Sequence, residues 1–109
     1  MLNIAADGAV LARFGHALSD PTRARLLLIL RTAPAYPAEL ARILGVSRSN
    51  LSNHLSCLRG CGLVVAVREG RRLRYRLADE RLAHALDDLL GVVPSAAGPA
   101  GSLAGGSAG

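Results

Sequence analysis

Pro37-Ala38-Glu39-Leu40-Ala41-Arg42-Ile43-Leu44-Gly45-Val46-Ser47-Arg48-Ser49-Asn50-Leu51-Ser52-Asn53-His54-Leu55-Ser56-Cys57-Leu58-Arg59-Gly60 reads as two short helical patterns divided by a turn. Gly45 permits a left-handed backbone, Val46 can staple into a core, and Ser47 can cap the helix that follows. That helix should run from Arg48 to about Arg59, with Gly60 and Gly62 marking its end. At about 100° per residue, Leu51, Leu55 and Leu58 fall on one side, while Arg48, Ser49, Ser52, Asn53 and Ser56 spread over the other. An ordinary solvated helix face carries Glu, Lys and Gln, whereas Ser, Asn and His form helices poorly. Short polar side chains let a backbone approach the groove of double-stranded DNA, where Asn can pair with adenine and Arg with guanine or phosphate. The pattern predicts a helix-turn-helix whose second helix enters the major groove. Asn50, His54 and Arg59 complete its candidate DNA contacts.

The flanking residues extend this unit. Downstream, Val64, Val65 and Val67 lead through Glu69-Gly70-Arg71-Arg72 to Leu73, Tyr75 and Leu77, which alternate with Arg72, Arg74 and Arg76. Two short strands joined at Gly70 make a hairpin with an arginine-rich face. Arg68, Arg71, Arg72 and Arg74 on such a wing suit a run of phosphates. Asp79 to Leu90 reads as a last helix with an apolar stripe at Leu82, Ala85, Leu86, Leu89 and Leu90, a candidate dimer surface. Upstream, a first helix is expected from about Gly8 to Leu18, and a second begins at Ser19-Asp20-Pro21-Thr22, capped by Asp20 or Ser19 with Pro21 in its first turn. Thr32 to Pro37, with two prolines, is the turn before the helix-turn-helix. The expected fold is mainly α with a β-hairpin wing: a dimeric winged helix-turn-helix of about five helices over residues 1–93. Residues 94–109, rich in Gly, Ala and Ser, are expected to form a flexible tail, since they offer too little apolar surface to offset their ordering entropy.

Composition agrees with a nucleic-acid partner. The 109 residues carry a net charge of +5, and all thirteen basic residues are Arg, the side chain that grips phosphate or guanine bidentately. Neither a signal peptide nor a run of about 18 apolar residues is seen, so a cytoplasmic protein without a membrane partner is expected. Catalysis is not expected, because no phosphate loop, nucleophile elbow or metal-hydrolase motif is present.

Three segments together carry a family resemblance: Leu18-Ser19-Asp20-Pro21-Thr22-Arg23-Ala24-Arg25-Leu26-Leu27, then Ser49 to Leu55 with Leu58-Arg59, then Gly62-Leu63-Val64 with Arg68-Glu69-Gly70-Arg71. Over roughly residues 8 to 93 the chain resembles the ArsR/SmtB family of metal-responsive transcriptional repressors. The resemblance implies a homodimer on operator DNA, helices from both ends of each chain at the dimer interface, and release when an inducer binds.

Cys57 and Cys61 stand four apart, which puts their Cα atoms about 6 Å apart along one helix face, within reach of one ion. Paired thiolates favour soft metals such as Zn, Cd, Pb or Cu(I) over Mg or Ca. The spacing also allows a pair that responds to thiol oxidation, or small buried hydrophobes in a regulator without ligand or a non-specific architectural DNA binder. Leu-Ser-Cys-Leu-Arg-Gly-Cys-Gly-Leu-Val-Val resembles the same stretch in the cadmium- and lead-sensing branch of the family. That resemblance implies Cys57 and Cys61 as metal ligands, Cd or Pb as the inducer with Zn possible, and no organic cofactor. It also implies a third cysteine from the partner's C-terminal tail, where this chain has none; Ser102 lies in that region and is a poor ligand for a soft ion. His54, an external thiol or water, or a ligand beyond Gly109 could complete the set. A zinc site on the last helix is disfavoured, because Arg81 stands where a ligand is needed between Asp79 and His84.

Overall fold

Four of the five helices start where a side chain accepts from a free backbone N–H of the first turn. In the computed structural model, which describes residues 2–94, the order is α1 (Ile4–Leu18), α2 (Pro21–Leu30), α3 (Pro37–Leu44), α4 (Arg48–Gly60), β1 (Val64–Glu69), β2 (Arg72–Leu77) and α5 (Arg81–Val92). The Asp20 carboxylate accepts from the N–H groups of Thr22 and Arg23 at 2.9 and 3.0 Å, so Asp20 rather than Ser19 is the cap of α2. Ser47 Oγ accepts from the Asn50 N–H at 3.0 Å and starts α4. Gly45, at φ 67°, ends α3 in the left-handed region where a side chain would be strained, and so sets the angle between α3 and α4.

Two helices start elsewhere than the apolar periodicity suggests. Asn3 Oδ1 accepts from the Ala6 N–H at 3.0 Å, which launches α1 at Ile4, ahead of its first apolar stripe residue. Asp79 spends its carboxylate on the Arg81 N–H and guanidinium, at 2.8 and 2.6 Å, so the last helix begins at Arg81. Those bonds from Arg81 hold the Asp79 pKa down to about 2. The expected tail lies outside the described residues apart from Pro94.

The core is aliphatic. Leu26, Leu27 and Leu30 of α2, Leu40 of α3, and Leu51, Leu55 and Leu58 of α4 are buried against Leu63, Val64, Tyr75, Leu77 and Leu86. The strands pair antiparallel from Val64↔Leu77 to Glu69↔Arg72, with Gly70 at φ 62° in the turn. Tyr75 also exchanges two backbone hydrogen bonds with Ala35, at 2.8 and 2.9 Å, which ties the hairpin to the segment just before α3. The two end helices pack only in part: α1 buries Ala17 and α5 buries Leu86, while Leu11 (68%) and Leu90 (57%) remain exposed. No described helix is long and apolar enough to cross a membrane.

Asp20 gives this frame a pH signature. Its pKa is lowered, first by the Arg23 N–H and further by His54 and Thr22, against an opposing effect of burial. A group depressed on folding contributes stability above its unfolded pKa and loses it as pH falls through the folded one. Asp20→Asn is therefore expected to melt below the wild type at neutral pH, with the gap closing on acidification through the carboxylate range. Thermal melts by circular dichroism across that range check this; a gap independent of pH would refute it.

Candidate nucleic-acid interface and cysteine pair

The buried side of α4 dictates what its open side shows. With Leu51, Leu55 and Leu58 anchored in the core, Arg48, Ser49, Asn50, Ser52, Asn53, Ser56 and Arg59 are all exposed. His54 departs from this set. It is half-buried, with its Nδ1 3.7 Å from the Asp20 carboxylate that caps α2, and so faces the body of the protein rather than the open side. The cause is angular, since position 54 lies at the seam between the leucine stripe and the polar face.

The wing places Arg68, Arg71, Arg72, Arg74 and Arg76 in solvent, with Tyr75 and Leu77 of β2 turned inward. Their engagements differ. Arg74 pairs with Glu69 at 3.4 Å, Arg76 donates to the Leu77 carbonyl at 3.2 Å, and Arg68 reaches the Gly70 carbonyl at 3.5 Å. Arg72 lies over the Tyr36 ring, its guanidinium carbon 3.5 Å from the centroid. The Tyr36 hydroxyl donates to Glu69 Oε1 at 2.5 Å, and that bond raises its pKa. Tyr36 stands in the proline-flanked turn, where spacing gives it no role; an aromatic ring in a chain with so many arginines is the available sequence signal.

Cys57 lies in the last turn of α4, and Cys61 is the residue that caps its C-terminus, its N–H donating to the Cys57 carbonyl at 3.0 Å. Both thiols are free and partly exposed. Burial pushes the Cys61 thiol up, with further contributions from the charge and side-chain hydrogen bond of Cys57. Cys61 also borders an apolar cleft of about 300 Å³ between α1 and α5, beside Val10, Phe14, Leu63 and Leu82. Two adjacent soft sulfurs fit a soft ion as two of its ligands. Among the described residues no group of three or more His, Cys, Asp or Glu side chains is placed to hold a metal. The alternative zinc pattern loses its first member, since Asp79 is committed to Arg81.

The helix-turn-helix and the start of the wing, residues 20–65, match the model of the arsR family of bacterial regulatory proteins. The HTH-type transcriptional regulator CmtR of Mycobacterium tuberculosis is 58% identical over 93 residues, covering 85% of this chain and 79% of that protein. The chain belongs to the ArsR family. Among solved structures, that of the cadmium metal-sensor CmtR from M. tuberculosis aligns with a TM-score of 0.66 at 55% identity, over 86% of this chain and 98% of that one. A homodimeric winged helix-turn-helix DNA-binding domain of Mycobacterium bovis, a possible ArsR-family regulator, aligns with a TM-score of 0.77 at 31% identity, over 84% and 86% of the two chains. The expected winged helix-turn-helix, with its five helices and hairpin, is thus the observed fold. The protein is a transcriptional regulator, not an enzyme.

Proposed function

We propose that this ArsR-family regulator is a repressor that holds double-stranded operator DNA as a homodimer and releases it on binding a soft metal ion, with Cd or Pb preferred and Zn possible. The observation that carries the reading is the dual character of α4: a leucine-anchored helix whose open face is built of Ser, Asn and Arg, and which ends in Cys57 and Cys61. Ser49, Asn50, Ser52, Asn53 and Ser56 serve as base-edge contacts, while Arg48, Arg59, Arg68, Arg71 and Arg72 serve phosphates, with Arg74 reaching DNA from its pair with Glu69. His54, expected among the DNA contacts from its sequence position, serves in this reading as a spacer between α4 and the cap of α2.

The exposed apolar residues of α1 and α5, Leu11 and Leu90 among them, supply the surface for the second copy. The similarity to a cadmium sensor and the two adjacent thiols support Cys57 and Cys61 as ligands. With His54 turned to Asp20, water or an external thiol, or a group outside the described residues, completes the coordination. A bound soft ion supplies a bond to both sulfurs. The pair sits at the junction of α4 and the wing, so drawing the sulfurs together changes how those two elements face the DNA. Metal and DNA then oppose each other with equal coupling in both directions. The site of action is cytoplasmic, where thiols stay reduced.

The test is an anisotropy titration of the DNA upstream of the protein's own gene, run without metal and with Cd(II), Pb(II) or Zn(II). Tight binding of one dimer per site, weakened about 5- to 150-fold by cadmium or lead, is the expected result. Equal affinity for unrelated DNA would leave an architectural DNA binder. Insensitivity to all metals together with release by a thiol oxidant would leave a redox regulator.

A further inference from the structure

Three guanidinium groups converge where the wing meets the start of α3. Arg48, Arg71 and Arg72 line a cleft of about 290 Å³ together with Tyr36, Pro37 and Leu73. None of the three is in an ion pair among the described residues, whereas the neighbouring Arg74 is neutralised by Glu69. Concentrated positive charge in a concave, partly apolar wall has a strong attraction for an anion of phosphate size.

Arg72 is the one member whose direction is set. Its guanidinium carbon stands over the Tyr36 ring, 3.5 Å from the centroid, and its N–H donors make no hydrogen bond among the described residues, so they are free for an anion. Tyr36 is held through its side chain, its backbone and its neighbour. Its hydroxyl is tied to Glu69 at the end of β1, its backbone N–H donates to Glu39 of α3 at 3.0 Å, and the preceding Ala35 is paired with Tyr75 of β2. The platform therefore belongs to both the helical body and the wing. A stacked arginine has less freedom to lose when it meets a phosphate than one hanging in solvent.

We infer that Tyr36 is a positioning residue for DNA binding: its ring aims Arg72 across the cleft so that the guanidinium meets one backbone phosphate of the operator duplex. This rests on the DNA-binding reading above and assigns the positioning of one of its phosphate contacts to a residue outside both the recognition helix and the wing.

The experiment measures metal-free affinity of the full chain for the upstream duplex across a salt series, for wild type, Arg72→Gln, Tyr36→Leu, Tyr36→Phe and the Tyr36→Leu/Arg72→Gln double variant, with melting temperatures alongside. Loss of one phosphate contact reduces the slope of log Kd against log salt by about 0.9 and weakens binding about three- to tenfold at moderate salt. Arg72→Gln and Tyr36→Leu are each expected to show this change, the double variant to bind no more weakly than Arg72→Gln, and Tyr36→Phe, which keeps the ring, to recover most of the slope. A ring with a purely structural part would lower the melting temperature without moving the slope. Tyr36→Leu with the wild-type slope, or losses that add in the double variant, overturn the positioning role while the DNA-binding reading stands. Arg72→Gln without effect overturns it as well, by removing the phosphate contact. Wild-type protein that binds upstream and unrelated duplexes alike shows instead that the underlying reading has failed, before any variant is compared.

Discussion

Cys57→Ser protein is expected to stay on its operator in the presence of cadmium. Serine is nearly the size of cysteine and can keep the helical backbone, and Cys57 is only partly buried at the end of α4 with Leu55 and Leu58 doing the packing on either side. Metal-free DNA affinity should therefore remain within about threefold of wild type, in line with a substitution that creates no cavity and strands no charge. The response should vanish, because a neutral hydroxyl is a hard, weak donor to a soft ion and one remaining thiolate cannot chelate. A wild-type weakening of about 5- to 150-fold would fall to none. Anisotropy titrations with and without Cd(II), together with thiolate-to-metal absorption, give the answer. A surviving response would move the metal seat elsewhere, and loss of DNA binding itself would make Cys57 structural.

Leu58→Ala is expected to cost about 3 kcal/mol of folding stability, the usual range for emptying a fully enclosed leucine site being about 2–5 kcal/mol. Leu58 is fully buried, with Leu51 and Leu55 beside it in the stripe that holds α4 to α2 and β1. Few aromatic side chains are available to fill the gap, since this core is built almost wholly of Leu, Val and Ala. Against a total of about 5–15 kcal/mol for a small domain, that loss leaves a marginal protein. Urea unfolding at fixed protein concentration should show a lower midpoint with the slope unchanged. A loss under about 1 kcal/mol would mean that the surrounding helices collapse onto the vacated site.

Local chemistry was legible in the sequence wherever it is settled within a few residues. The Asp20 and Ser47 caps, the left-handed Gly45, the leucine stripe of α4 and the inward Tyr75 and Leu77 all follow from spacing and side-chain type. The start of α1 was hidden because Asn3 precedes a run of small residues with no apolar rhythm. Contacts between distant segments were out of reach. Tyr36 finds Glu69 across 33 residues, Arg74 shares that carboxylate, and His54 turns to Asp20, none of which helical angle or strand alternation can signal. The cysteine pair and the missing third cysteine were legible in the sequence, while the turning of His54 towards Asp20, away from the role of a further donor, is a property of the folded chain.

If Cys57 and Cys61 take the ion as proposed, the thirteen residues of α4 would act as a lever with its pivot at the thiols. At about 1.5 Å per residue the helix is about 20 Å long, and Cys57 and Cys61 stand at one end with Arg48 at the other. A tilt of about 10° at the cysteine end carries the Arg48 end sideways by about 3.5 Å, close to the rise of one base pair along a strand. Under the proposed metal-release reading, small rearrangements of two sulfur atoms would be geared up to the spacing on which sequence reading depends, and the far end of the helix would lose register first.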